Sequence, residues 1–286
     1  MENNYYHSIY GAEELMERLR KIRHVALDMD GTIYMGMTLF PYTKAFLAQL
    51  RELGITYSFL TNNPSTSIPD YLKKLQGMGI EASEDEMYTT ALATIDYIKR
   101  NYPDARRLFL LGTPSMISEF EKAGFESLAD SAEERPDVVV VAFDKTLEYN
   151  RLCRAAWWVA EGLPYIATNP DRVCPTDQPM VLVDCGSICK CIEHATSRQP
   201  DIVLGKPDPN MLSGVRDRYG VEAEEVAMVG DRIYTDVQMA FNAGAFGVLV
   251  LSGETTLEIE AEAPRKPDLT AASIAVLGEL LRKSRE

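Results

Sequence analysis

The chain has 286 residues, 46% of them hydrophobic and 25% charged, the make-up of an ordinary globular protein with one large or two moderate domains. Acids outnumber bases 43 to 29, a formal net charge of -14 with no offsetting cluster of Lys and Arg, so nucleic acid is not an expected partner. No apolar run approaches the length needed to span a bilayer, the longest being the region from Val138 to Phe143.

The charged first twenty-odd residues place Leu15, Leu19 and Ile22 at helical spacing. They read as an amphipathic helix and not as a signal peptide, so a cytoplasmic protein without a membrane partner is expected. Next comes "HVALDMDGTIY", in which the apolar strand Val25 to Leu27 stops at two acids, Asp28 and Asp30, followed by Gly31 and Thr32. A carboxylate pair there is costly unless something nearby needs negative charge. The stretch "YTKAFLAQLRELG" then puts Phe46, Leu47, Leu50 and Leu53 on one helical stripe and stops at Gly54. Tyr57 to Leu60 reads as a strand ending at Thr61 and Asn62 of "TNNP", and Leu72, Leu75 and Met78 mark a further helix. Three more apolar runs end in the same abrupt way: Ile202 to Leu204 before "GKPDP", Val226 to Val229 before "GDRIYTD", and Val248 to Leu251 before "SGET".

Near-continuous apolar strands alternating with helices predict an α/β fold with a doubly wound parallel sheet, covered on both faces and joined by right-handed crossovers. Ligands of such sheets bind at the carboxyl ends of the strands. Asp28 and Asp30, Thr61 and Asn62, Lys206, and Asp231 with Asp236 are therefore expected to converge. From Asn62 to Lys206 the chain runs far beyond the roughly 30 residues of one βαβ step. The excess, with "RLFLLG", "MISEFEKAG", "DVVVVAF", "YNRLCRAAWWVAEG", "YIATN", "MVLVD" and the helix after Gly186, reads as an α/β cap domain over residues 91–199, inserted into a core of residues 1–90 and 200–286.

The five cysteines, an odd number, are expected to be reduced thiols. A metal site at Cys185, Cys189 and Cys191 is disfavoured, because Ile188, Cys191, Ile192 and Ala195 follow the spacing of an inward helix face and Cys189 and Cys191 point nearly opposite ways. His7, His24 and His194 are isolated and read as structural.

The converging residues suit phosphate chemistry. Two carboxylates with a third acid, Asp231, fit a hard divalent cation, of which Mg²⁺ joins phosphate most readily. Lys206, Thr61 and Asn62 supply positive charge and hydrogen-bond donors for phosphate. Asp28 is expected to act as the nucleophile and form an aspartyl phosphate, while Asp30 protonates the leaving oxygen and then activates water. In the second domain Asn169, Asp171 and Arg172 are candidates for the substrate pocket, although "NPD" is also a good turn.

"DMDGT", "LTNN", the Lys206 of "GKP" and "GDRIYTD" resemble, in order, the four motifs of the haloacid dehalogenase superfamily. The inserted domain, "ATNPD" and the run from Gly186 to Pro209 are similar to the NagD-like subfamily, which includes p-nitrophenyl phosphatases. The resemblance implies a Rossmann-like core and Mg²⁺ held by the carboxylates of Asp28 and Asp231 and by the backbone carbonyl of Asp30. It also implies that Asp236 supports the metal from behind. Dehalogenase chemistry is disfavoured, because a halide leaves without a proton and needs no Asp30. The expected activity is hydrolysis of a small phosphorylated metabolite, a phosphomonoester such as a nucleotide, a sugar phosphate or phosphoglycolate. A phosphomutase and a catalytically silent phosphate-binding or signalling homologue stand as alternatives. A homo-oligomer is compatible with the sequence, since any core or cap surface could pair.

Overall fold

The computed structural model describes residues 4–174 and 180–286. The chain divides into two compact units: Met1–Leu60, Leu72–Tyr88 and Lys206–Glu286 form the first, and Thr61–Tyr71 with Thr89–Gly205 the second. Residues 61–71 thus cluster with the inserted segment, whereas the sequence reading had put them in the core. Among the described residues no helix is long and apolar enough to cross a membrane.

A seven-stranded sheet organises the first unit, in the order Tyr6–Ser8, Leu269–Ala271, Phe246–Val250, Val226–Gly230, His24–Asp28, Thr56–Thr61 and Met87–Thr89. The strands from Leu269–Ala271 through Thr56–Thr61 pair in parallel, and Tyr6–Ser8 joins the edge antiparallel. Val25, Leu27, Phe59, Leu60, Met228, Val229, Val248 and Leu249 are all essentially inaccessible to water, as unbroken apolar strands in a sheet covered on both faces should be. The register does the positioning. Leu27 stands opposite Val229 and Asp28 opposite Leu60, so Gly230 lies level with Asp28 and Asp231 one step beyond.

The helix Ala12–Lys21 carries Glu13 and Glu14 in its first turn and Arg18, Arg20 and Lys21 in its last, each sign favourable at its end of the helix dipole, and it buries Leu15 and Leu19. Between Asp30 and Thr61 the chain forms only the short hairpin Tyr34–Met35 with Thr38–Leu39 and the helix Thr43–Glu52.

His24, at the start of its strand, is wholly buried between the hydroxyls of Thr56 (2.8 Å) and Ser58 (2.9 Å). Burial pushes its pKa from 6.5 down to about 3. Across that window the unfolded chain binds a proton that the folded chain refuses, so the stability His24 contributes above pH 6.5 drains away as pH falls. Acidifying to about pH 4.5 should cost the wild type roughly 2 kcal/mol more than it costs His24→Gln, measured by denaturant unfolding at both pH values.

A five-stranded, wholly parallel sheet organises the second unit, in the order Ile202–Val203, Tyr165–Ala167, Val138–Val141, Arg107–Leu111 and Glu126–Ser127. Helices Thr90–Asn101 and Pro114–Lys122 supply one hydrophobic layer, with Ile95, Ile98, Met116 and Phe120. Tyr149–Ala160 and Cys185–Thr196 supply the other, with Trp158, Val159, Ile188 and Ile192. Ile202 to Leu204 is corrected here, since it pairs with Tyr165–Ala167 and belongs to this sheet, not to the core sheet. A short apolar run fits either sheet equally well, and only pairing decides. The inward stripe of Cys185–Thr196 is Cys185, Ile188, Cys189 and Ile192, so Ile188 and Ile192 of the predicted face are buried whereas Cys191 is exposed. Of the "MVLVD" segment, Leu182–Val183 pairs antiparallel with Val173–Cys174.

Candidate active site

The strand His24–Asp28 ends on Asp28, and the chain then turns through Gly31 at φ +83°, where the amide of Gly31 bonds the carbonyl of Tyr34 (2.7 Å). The next strand of the sheet, Val226–Gly230, delivers Asp231 beside it. A Cβ on Gly31 would lie 2.5 Å from Asp231 Oδ2, and one on Gly253 would lie 2.0 Å away. Both glycines are therefore required by the close packing of backbone around one carboxylate. Asp231 Oδ2 accepts the amide of Glu254 (2.7 Å), and Ser252 Oγ donates to the carbonyl of Gly31 (2.7 Å), so the loop after Phe246–Val250 closes over this acid. The "SGET" cluster that follows that strand was the available signal for this loop, but the sequence reading assigned it no role.

Lys206 sits among the acids with only 5% of its side chain exposed and pairs with Asp28 and, at 2.7 Å, with Asp236. Burial works against its charge, but the two carboxylates outweigh it and hold its pKa above the ordinary lysine value. Asp236, buried inside the π-helical turn Ile233–Val237, has its pKa pushed up to about 7 by burial, against the pull of Lys206. Its Oδ2 also accepts the amide of Arg232 (3.2 Å), which ties the carboxylate to the start of its own turn alongside the ion pair. Asp231 is pushed up to about 6, first by burial and then by the charge of Asp28, with the Glu254 amide opposing.

Carboxylate oxygens of Asp28, Asp231 and Asp236 lie within 4.8 Å of one another, and Asp231 Oδ1 is buried without a hydrogen-bond partner. A buried, unpartnered carboxylate oxygen beside two further acids is the donor set a hard cation takes. The residues present therefore fit a divalent metal. Asp30 stands apart from this cluster, its side chain exposed at the turn that bridges to Tyr34. This agrees with a role for Asp30 at the metal through its backbone carbonyl and not its carboxyl, and the third carboxylate of the cluster is that of Asp236. Lys74, lying over the ring of Tyr34 at 4.0 Å, feels the charge of Asp30. It was not foreseen. Thr32 Oγ1 lies 3.4 Å from Asp28 Oδ2.

The remaining predicted residues belong to the second unit. Thr61 closes the strand Thr56–Thr61, and its hydroxyl accepts the amide of Asn63 (3.2 Å). Asn62 donates through its side chain to Asp171 (3.2 Å), and its carbonyl accepts from Asn169 Nδ2 (2.7 Å) and Thr90 Oγ1 (3.1 Å). Arg172 is exposed, and its carbonyl accepts the amide of Asp184 (3.1 Å). Asn169 and Asp171 are thus joined to the Thr61–Asn62 segment.

A parallel sheet that ends on Asp28 and Asp231, with a buried lysine paired to Asp28, defines a hydrolase of the haloacid dehalogenase type. Residues 25–126 match the family described as haloacid dehalogenase-like hydrolase, and residues 203–277 match a second family described as HAD-hydrolase-like. Over 254 residues the chain is 31% identical to the ribonucleotide monophosphatase NagD of Escherichia coli K12, an alignment covering 89% of this chain and 97% of that one. The crystal structure of a 4-nitrophenylphosphatase from Thermotoga maritima superposes with a TM-score of 0.85 at 40% identity, covering 92% of this chain and 98% of that one. A glycerol phosphate phosphatase from Mycobacterium tuberculosis, crystallised with calcium, aligns at 26% identity and a TM-score of 0.83, covering 91% and 76% of the two chains. The chain belongs to the NagD-like haloacid dehalogenase family of hydrolases.

Proposed function

We propose that this enzyme hydrolyses small phosphomonoesters through a phosphorylated Asp28. The observation that carries the reading is the buried Lys206 held between Asp28 and Asp236, beside an Asp231 oxygen that has no partner. The carboxylates of Asp28 and Asp231 and the backbone carbonyl of Asp30, with Asp236 supporting them from behind, would hold Mg²⁺, which when bound supplies the charge that lets an anionic phosphoryl group approach a carboxylate. The names of the relatives, with ribonucleotide, nitrophenyl and glycerol leaving groups, support a phosphatase whose chemistry centres on the phosphoryl group.

Lys206 compensates charge on the phosphoryl oxygens, and the Thr61 hydroxyl donates to one of them. An oxygen of Asp28 forms the new bond to phosphorus as the ester oxygen departs, and Asp30 delivers a proton to that oxygen. Its exposed position at the turn leaves it free to reach a leaving group and exchange protons with water. In the second half Asp30 takes a proton from water, the water oxygen bonds to phosphorus, and the carboxylate of Asp28 is regenerated.

The test is a panel of nucleoside monophosphates, sugar phosphates, phosphoglycolate and pyridoxal phosphate, with 4-nitrophenyl phosphate as reference. Phosphate release should vanish in EDTA and return with Mg²⁺. Asp30→Asn should bind inorganic phosphate as the wild type does but turn over at least ~10²-fold more slowly. Activity unchanged by chelation, or equal in Asp30→Asn, would refute the mechanism.

A further inference from the structure

Resting on that phosphatase reading, we propose that Asn169, oriented by Asp184, is a positioning residue for phosphate binding: it holds the peptide after Asn62 so that the hydroxyl proton of Thr61 remains available to the phosphoryl group. Asn169 is a candidate for the substrate pocket, and its amide nitrogen is committed to the protein. Asn169 is wholly buried, and its Nδ2 donates to the carbonyl of Asn62 at 2.7 Å and to Asp184 Oδ1 at 3.3 Å. Both partners are acceptors, so the carboxamide has one consistent orientation, with nitrogen towards Asn62. Asp184 is itself fixed, because the same Oδ1 accepts the amide of Cys185 (2.5 Å) at the start of the helix Cys185–Thr196.

Holding a carbonyl fixes the plane of its peptide, since the amide on the other side of a rigid unit must follow. The Asn62 carbonyl is held from two directions, by Asn169 and by Thr90 Oγ1 at 3.1 Å. The amide of the same peptide, on Asn63, donates to Thr61 Oγ1 at 3.2 Å. Thr61 therefore spends an oxygen lone pair on the peptide and keeps its proton. A second contact, between Thr61 Oγ1 and the hydroxyl of Tyr71, is long at 3.4 Å, and the Tyr71 proton has an acceptor in the carbonyl of Asn63 (3.1 Å). The proton of Thr61 is thus only weakly engaged, as suits a group that must turn to an incoming phosphoryl oxygen.

The same side chain meets a second phosphate-binding segment. A Cβ on Gly205, at φ +79°, would lie 3.0 Å from Asn62 Oδ1 and 3.1 Å from Asn169 Cβ. Asn62 adjoins Thr61 in the chain and Gly205 adjoins Lys206, so Asn169 packs against the neighbour of each predicted phosphate donor. Asp184 had no assigned role in the sequence. Its acceptor geometry explains why Asn169 holds one orientation.

The experiment measures the inhibition constant of inorganic phosphate together with KM and kcat for 4-nitrophenyl phosphate. The variants are Asn169→Leu, which keeps the size but removes both N–H donors, Asp184→Ala, Asp184→Asn, Thr61→Ala and the double variant Asn169→Leu/Thr61→Ala. Asn169→Leu and Asp184→Ala should each weaken phosphate inhibition and raise KM about ten-fold. Asp184→Asn, which retains an acceptor oxygen, should stay near wild type. In the Thr61→Ala background the Asn169 substitution should add little, because the group it positions is gone. The proposal is overturned if Asn169→Leu lowers kcat at an unchanged phosphate inhibition constant, or if its effect multiplies fully with that of Thr61→Ala. Should Asn169→Leu fail to fold, the contrast between the two Asp184 variants decides, and equal effects would reject the idea. Wild-type and Asp28→Asn controls separate the outcomes: no phosphate release by the wild type would instead remove the phosphatase reading itself.

Discussion

Asp28→Asn will abolish turnover, with phosphate release from 4-nitrophenyl phosphate falling by roughly 10⁴-fold or more, since loss of a nucleophile leaves only the binding contributions to catalysis. The substitution keeps the shape of a side chain that sits at the end of a fully paired parallel strand opposite Leu60, so folding should be preserved. It also keeps an oxygen that can accept from Lys206, its ion-pair partner in the wild type. Mass spectrometry of enzyme quenched in acid with substrate should show a phosphorylated species in the wild type and none in Asp28→Asn. A variant that retains even a hundredth of the activity after rigorous purification would place the nucleophile elsewhere.

Lys206→Met should remove activity and destabilise the protein at the same time. The ammonium lies between Asp28 and Asp236, whose side chains are 15% and 1% exposed, and no water replaces it easily. Taking one partner from a buried charge cluster commonly costs about 3–5 kcal/mol. Here the lower end is expected, because Asp236 has its pKa pushed up to about 7 and can take up a proton once the lysine is gone. For a chain of this length a loss of about 3 kcal/mol lowers the melting temperature by roughly 6–12 °C. Adding Asp236→Asn to Lys206→Met should restore much of that stability without restoring turnover, since the charge imbalance is relieved but the cation that faces phosphate is still missing. If the single variant melts with the wild type, the buried pairing is not the stabilising arrangement described above.

The acids were legible because each follows a short apolar run, and parallel strands in register bring their carboxyl ends to one edge. Asp28 and Asp231 needed no more than that, whereas Lys206 follows a strand of the other sheet, and its pairing with Asp28 was decided by the tertiary structure. Asp236 was legible as a supporting acid, and it is the π-helical turn Ile233–Val237 that brings its carboxylate beside Asp28 and Asp231 and onto Lys206. Asn169 and Asp171 were legible as candidates for the substrate pocket, but not their contacts within the protein. Asn62 bonds both, Asp184 bonds Asn169, and Asn62 stands more than a hundred positions from Asn169 and Asp171, so no spacing rule reaches it. The run Ile202 to Leu204 was legible as a strand but not as a member of its sheet, for hydrophobicity signals burial and carries no label for the neighbour.

From its residues alone, this protein was set as an α/β chain with an insertion between its second and third chemical motifs, ending its strands on acids and a lysine suited to phosphate. Those features follow from local pattern, since strand length, turn chemistry and charge are written in neighbouring positions. The tertiary structure alone decided that Asp236 joins Asp28 and Asp231, that glycines 31 and 253 make room for one carboxylate, and that Asn169 grips the peptide beside Thr61. Each of these depends on atoms from remote segments approaching within a few ångströms, which hydrogen-bond geometry and close packing select only once the whole chain is folded.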